Sequence, residues 1–272
     1  MEQLYYENLL QKNNSGSEES EKMWDQRAAH FYEAQKNDRS TFTREVVDVL
    51  KRRGMLEKAE ILDIGGGSGR YALPLSKEAK HVTLTDISTN MLTLAKEHAE
   101  QNGVKNISFE KLVWEKANLA DLKWEKKFDV TFASMCPAIR TPEGLYKMAD
   151  ASKGYCVINQ YIHNTDSLSR FLREKAELPQ GYNPHNDREA VQSIFNLLWL
   201  KGYDVELHYL RSKDRYILSR EDIEVQYAFV LESIREDRGL DTSRLLSQYA
   251  ERDGYHITEE SVLAMIMWKV SA

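Results

Sequence analysis

Asp63 is followed by glycines at 65, 66, 67 and 69, and a second acid, Asp86, stands 23 residues beyond Asp63. Glycines after a short apolar run let the backbone turn tightly and approach a ligand, and a helix beginning there offers free N–H groups. An acid at the tip of the next apolar run accepts hydrogen bonds from a ribose diol. These residues read as a nucleoside-binding turn. Further along, Cys136 offers a thiol or a soft-metal ligand. His163, with Asn159 and Tyr161, offers groups that orient or deprotonate a substrate. Both have plainer readings: a free cysteine is commonly a small buried hydrophobe, and a histidine at a strand end is commonly a solvated loop residue.

The identity of the nucleoside follows from spacing. Counted from Gly65, the dinucleotide pattern G-x-G-x-x-G meets Arg70 where its third glycine belongs. Counted from Gly67, it gives G-x-G-x-x-A ending at Ala72, but Asp86 then follows after 14 residues, shorter than the usual ~20. The pattern D-x-G-x-G-x-G fits, occupied by Asp63, Gly65, Gly67 and Gly69. With Asp86 it resembles motif I and the following acidic motif of the class I S-adenosylmethionine-dependent methyltransferases.

That resemblance implies a glycine turn, Gly66 included, against the methionine and ribose of S-adenosylmethionine. It also implies that Asp86 holds the ribose hydroxyls and that Asp63 orients the turn and reaches the amino-acid part. Ile87, Met91 and Ser134 join the cofactor-binding set. Many family members place an acid on the adenine amino group near Val113 and Trp114, and this sequence has none in that register. Either Glu115 substitutes, or backbone groups read the adenine edge while Trp114 packs on its face; Trp114 reads equally well as core filler. Ser134-Met135-Cys136-Pro137 occupies the substrate-facing position, without the Asn or Asp before Pro-Pro that marks amide and base N-methyltransferases. Cys136, His163 and Tyr161 are the catalytic candidates. Tyr6, Trp24, Arg27, Phe31, Cys136, Asn159 and His163 are the substrate candidates. Trp24-Asp25-Gln26-Arg27-Ala28 ahead of Phe31 resembles a short N-terminal signature of small-molecule members. Tyr5, Tyr6, Trp24 and Phe31 would close an aromatic lid over a sulfonium, or simply dock the arm.

The elements that must position these residues alternate strand and helix, the pattern of a parallel sheet covered on both faces. Strands are expected at 60–64, 81–85, 106–110, 128–133 and 155–161, with helices at 69–79, 88–102 and 141–151. Helices at 167–177 and 187–201 and strands at 204–210 and 261–270 follow. The fold class is α/β: a doubly wound, mostly parallel seven-stranded sheet, which the resemblance completes with an antiparallel last strand. Residues 1–58 form a helical N-terminal arm, with helices at 22–35 and 40–53 and a polar break at 13–17. Residues 59–218 and 256–272 form the cofactor-binding core, and 219–255 a helical insertion serving as lid or interface. In such sheets ligands bind beyond the carboxyl ends of the strands.

The 272 residues hold no apolar run of about 18, and the N-terminus has no basic and apolar leader, so neither a membrane span nor a secretory signal is expected. Two cysteines, Cys136 and Cys156, make no disulfide framework, and a cytoplasmic setting is inferred. They are expected near opposite edges of the sheet, since five strand residues span about 16 Å. Zinc spacing, a P-loop and a Ser-His-Asp order are all missing, so no metal is expected. Net charge is −6, with lysines and arginines interspersed among acids, which disfavours nucleic acid as a partner. The reading is methyl transfer from S-adenosylmethionine to a small-molecule acceptor with an N, O or S nucleophile, by a monomer or homodimer. Rival readings are methylation of tRNA or a protein side chain, a nicotinamide-binding oxidoreductase, and a non-catalytic cofactor-binding module.

Overall fold

The structure is a computed structural model, and it describes residues 1–12, 17–36, 40–178 and 182–270, without the side chains of 17–19 and 229. The break expected at 13–17 therefore lies mostly outside the described residues. The elements in chain order are α1 (Glu2–Gln11), α2 (Ser17–Lys36), α3 (Phe42–Arg52), β1 (Glu60–Ile64), α4 (Ala72–Ser76), β2 (His81–Asp86), α5 (Thr89–Gln101) and β3 (Ile107–Lys111). Then come α6 (Leu119–Leu122), β4 (Phe128–Ser134), α7 (Pro142–Ala151), β5 (Ser152–Asp166), α8 (Ser167–Lys175), α9 (Arg188–Leu200) and β6 (Val205–Leu218). The chain ends with α10 (Arg220–Gln226), α11 (Ala228–Arg238), α12 (Thr242–Tyr249) and β7 (Tyr255–Lys269). The seven strands form one sheet in the order β3-β2-β1-β4-β5-β7-β6, with β1 to β5 parallel and β7 antiparallel.

The chain divides into two compact units. Unit 1 comprises residues 1–160, 187–210 and 263–272. Its strands β1, β2 and β4 are buried almost throughout, because crossover helices cover both faces of a parallel sheet. The arm belongs to this unit: α3 buries Val46, Val47, Val49 and Leu50 along one face. Helix starts follow side-chain caps, with Ser88 accepting from Met91 N, Thr141 from Gly144 N and Asp187 from Ala190 N.

Unit 2 comprises residues 161–186 and 211–262. It has its own apolar core, in which Leu168 and Leu172 of α8 meet Ile223, Leu231, Ile234 and Leu246 of α10 to α12. Polar links stitch its strand segments together: Asn164 Nδ2 donates to Ser261 Oγ at 3.0 Å, and Tyr216 OH to Glu259 Oε2 at 3.0 Å.

Several boundaries differ from the expected ones. The helix expected at 69–79 is only α4, because Gly69 adopts φ +87°, outside helical space, and Pro74 suits just the first turn. Strands β5, β6 and β7 extend to Asp166, Leu218 and back to Tyr255. Their added residues mix charged and polar positions with a few apolar ones, of which Leu218, Tyr255 and Ile257 enter the core of unit 2, and the sequence there shows little regular alternation. The expected insertion 219–255 holds three helices and lies inside unit 2 with those strand segments, while the expected core divides: 59–160, 187–210 and 263–272 share unit 1 with the arm, and 161–186, 211–218 and 256–262 fall in unit 2.

Candidate functional site

The apolar strand β1 ends at Ile64, and the chain turns through Gly65 (φ +64°), Gly67 (φ +55°) and Gly69 (φ +87°). Two of these glycines are needed for different reasons. A Cβ on Gly65 would lie 2.5 Å from Cys136 Sγ, so the loop after β4 closes against the turn. A Cβ on Gly67 would meet nothing closer than Met91 Sδ at 3.9 Å, so there the positive φ is decisive. The turn is tied to β2, with Gly66 N donating to Thr85 O at 3.0 Å and Gly67 N to Asp86 Oδ2 at 2.9 Å. Asp86 Oδ1 accepts from Ser88 N at 2.8 Å. Asp86 thus braces the turn, and since a carboxylate has about four acceptor positions, capacity remains for a ligand.

Asp63 is 2% exposed, and its Oδ2 has no partner. Burial, with the charge of Asp86 second, pushes its carboxyl up to about 7. Burial also raises Asp86, while the N–H groups of Ser88 and Gly67 pull the other way. The site therefore holds two buried acids at the carboxyl ends of β1 and β2. Ile87 is half-buried beside them, Met91 is buried in α5, and Ser134 is half-buried at the end of β4.

Three expectations change. Burial pushes the Cys136 thiol up to about 12, which keeps it protonated at neutral pH rather than a thiolate nucleophile, and it packs beneath Gly65. Trp114 is 2% exposed, and its Nε1–H donates to Gly144 O at 2.9 Å while the Lys147 ammonium lies 5.8 Å from the ring centre. It is a packing residue under α7, beside the half-buried Val113, and not a platform for adenine. His163 and Tyr161 do not end a strand, because β5 continues to Asp166; both fall in unit 2, where His163 is exposed and Tyr161 stacks on His185 at 5.2 Å. Cys136 and Cys156 are both free and buried, and the register sets Cys156 opposite Thr131, five residues before Cys136.

The arm meets the turn through residues outside the set of site candidates, although Asp25 lies within the N-terminal signature at 24–28. Ser68 Oγ donates to Gln35 Oε1 at 2.7 Å, joining the glycine turn to α2. Asp25 of α2 accepts from Ser88 Oγ at 2.6 Å and Asn90 N at 3.1 Å, and its own carbonyl accepts from Asn90 Nδ2 at 3.0 Å. The Ser88 hydroxyl holds the Asp25 carboxyl below its usual range. The visible signal was Asp86-x-Ser88, an acid two residues before a helix cap. Trp24 and Phe31 of α2 form an edge-to-face pair at 5.4 Å, and Arg27 is exposed. Tyr6 lies on α1, which packs on α9, and pairs edge-on with Tyr5 at 5.2 Å. Asn159 is fully buried in β5, opposite Ser134.

Comparison with known proteins agrees with this geometry. A methyltransferase domain model matches residues 56–202, more than half of the chain. The ribosomal protein L11 methyltransferase of Lactobacillus gasseri is 41% identical over 70 residues, 25% of this chain and 22% of that protein. The tRNA/tmRNA (uracil-C(5))-methyltransferase of Campylobacter lari is 31% identical over 84 residues, 31% of this chain and 23% of that protein. The matched region spans about a quarter of the length of these curated relatives. The solved YcgJ protein of Bacillus subtilis has a TM-score of 0.51 at 14% identity, covering 84% of this chain and 99% of that one. An inferred methyltransferase of Bacillus halodurans C-125 has a TM-score of 0.53 at 14% identity, covering 83% and 99%. At such identity the two structures establish a shared fold. With the domain match, the strand order and the glycine turn in agreement, the chain belongs to the methyltransferase domain family and has the class I fold of the S-adenosylmethionine-dependent methyltransferases.

Proposed function

We propose that this protein transfers the methyl group of S-adenosylmethionine to a small-molecule acceptor through an N, O or S nucleophile. The observation that carries the reading is α2 bonded across the glycine turn by Gln35–Ser68 and Asp25–Ser88, which favours an enclosed site over an open face. S-adenosylmethionine supplies an electrophilic methyl on a cationic sulfur and carries an ammonium group. The residues present fit it: the unpaired, buried Oδ2 of Asp63 suits an ammonium, and the spare acceptor positions of Asp86 suit ribose hydroxyls. Two buried acids beside the turn would repel a pyrophosphate, so a dinucleotide fits less well.

The chain's own contribution is orientation and exclusion of water, since the donor brings its reactive carbon. The aromatic faces of Trp24 and Phe31 on α2 would favour a cation beside them. The relatives named above act on ribosomal protein L11 and on tRNA/tmRNA, but the shared stretch is too short to carry their acceptors over. A net charge of −6 supports a small acceptor over an RNA backbone.

Calorimetric titration of the full chain with S-adenosylmethionine, S-adenosylhomocysteine, NAD and NADP tests the reading. The adenosyl compounds are expected to bind and the nicotinamide compounds to give no heat. Binding of NAD with no response to S-adenosylhomocysteine overturns it, and nuclease-sensitive RNA co-purifying with the protein overturns the small-acceptor part.

A further inference from the structure

Asn159 is the one buried side chain among the described residues with two polar atoms lacking a partner. It is fully buried, and neither its Oδ1 nor its Nδ2 is hydrogen-bonded. Its backbone is well used: the carbonyl accepts from Met135 N at 2.9 Å, and the residue is in register with Ser134 at the end of β4. As packing alone, a carboxamide is the wrong filler here. A leucine of similar volume would leave no unpaired donor or acceptor, whereas buried polar groups are almost always bonded.

The face on which it lies is informative. Asp63 pairs with Phe132, and Asn159 pairs with Ser134, two residues beyond Phe132 on the same strand. With side chains alternating along strands, Asp63, Phe132 and Asn159 point to one face of the sheet. That face thus carries two buried, unpaired polar side chains at the carboxyl ends of its strands, where open sheets bind ligands. Asp63 belongs to the glycine turn. Asn159 lies two strands away, beyond β4, on the side left for the acceptor.

We propose that Asn159 is a specificity-determining residue that selects acceptors carrying an amide-type edge, an N–H beside a C=O. The inference rests on the methyl-transfer reading above. The reason is complementarity. A carboxylate would leave Oδ1 unpaired and an ammonium would leave Nδ2 unpaired, whereas an N–H/C=O edge satisfies both arms, as asparagine does with a base edge that both donates and accepts. Because the carboxamide is closed to solvent, the side chains covering it shift as the acceptor enters, and its unpaired arms disfavour the closed state relative to the bound one.

The test uses the full chain saturated with S-adenosylhomocysteine, after calorimetry shows that this product binds. Two probes, 2-pyridone and N-methyl-2-pyridone, differ in the single N–H and are compared by ligand-observed NMR. The wild type is expected to bind 2-pyridone at least about fivefold more tightly, the value of one hydrogen bond in a dry site. In Asn159→Leu and Asn159→Ala the preference should vanish while S-adenosylhomocysteine affinity is retained, with Asn159→Leu melting no lower than the wild type. Equal binding of the probes to the wild type, binding of neither, or a preference that survives in the variants overturns the proposal. So does failure of both variants to fold, which would make Asn159 a structural residue. Failure of S-adenosylhomocysteine to bind the wild type instead overturns the methyl-transfer reading itself.

Discussion

Asp63 shows how a donor site can be destabilised before any ligand binds. Its carboxyl is held at about 7 in the folded chain, by burial first and then by Asp86, against 3.8 ordinarily. The folded state therefore binds a proton that the unfolded state has released across pH 4 to 7. Stability from this group falls as pH rises through that window and levels off above pH 7. Asp63→Asn removes the term, so the variant should unfold at higher urea concentration than the wild type at pH 8, with the difference shrinking toward pH 5. Urea titrations at four pH values check this, and parallel pH profiles for the two proteins would refute it. An ammonium placed against Oδ2 would relieve the same cost, which is a physical reason for an acid to remain there. The glycines around it are constrained from the inside: Gly65 is kept small by Cys136 and Gly67 is kept left-handed by its bond to Asp86.

At the scale of elements, Arg140 holds the loop after β4 in place. Its Nη1 donates to Asp187 Oδ2 at 2.7 Å and its Nη2 to Gln160 Oε1 at 3.0 Å, with all three side chains buried. Asp187 is also the N-cap of α9. One guanidinium therefore joins three places: the β4–α7 connection, β5, and the start of α9. Removing one partner of a buried pair strands the other charge and costs about 3–5 kcal/mol. Arg140→Met should lose stability of that order in chemical denaturation, and Arg140→Met with Asp187→Asn, which keeps a capping oxygen, should recover part of it. No recovery in the double variant would mean that the pair is not coupled. Nothing in the sequence marked this link, because Arg140, Gln160 and Asp187 are 20 and 27 residues apart along the chain.

At the scale of the molecule, the two units have different bases of stability. Unit 2 relies on an apolar core of its own, with Leu231 of α11 fully buried within it. Leu231→Ala should cost about 2–5 kcal/mol through lost burial and the cavity left behind. Because the donor-site residues belong to unit 1 while Leu231 packs inside the core of unit 2, affinity for S-adenosylhomocysteine should change by no more than about twofold. Calorimetry and thermal unfolding of the same variant measure both, and a large loss of affinity in a folded variant would refute this independence. Among the described residues no helix is long and apolar enough to cross a membrane.

By itself the sequence determined the strands β1 to β4 and the nucleoside turn, because apolar runs, glycines and caps are local signals whose physics acts within a few residues. It determined the family through Asp63, Gly65, Gly67, Gly69 and Asp86 for the same reason. It did not determine how far β5, β6 and β7 run, since their outer halves mix charged residues with a few apolar ones such as Leu218, Tyr255 and Ile257, which are held by partners distant in the chain. Only the tertiary structure decided that Cys136 packs beneath Gly65, that Trp114 is tied to Gly144, that His163 and Tyr161 lie in the other unit, and that Asn159 is buried with both arms unpaired. Burial and hydrogen-bond partners arise from segments brought together in space, and no spacing along one chain encodes them directly.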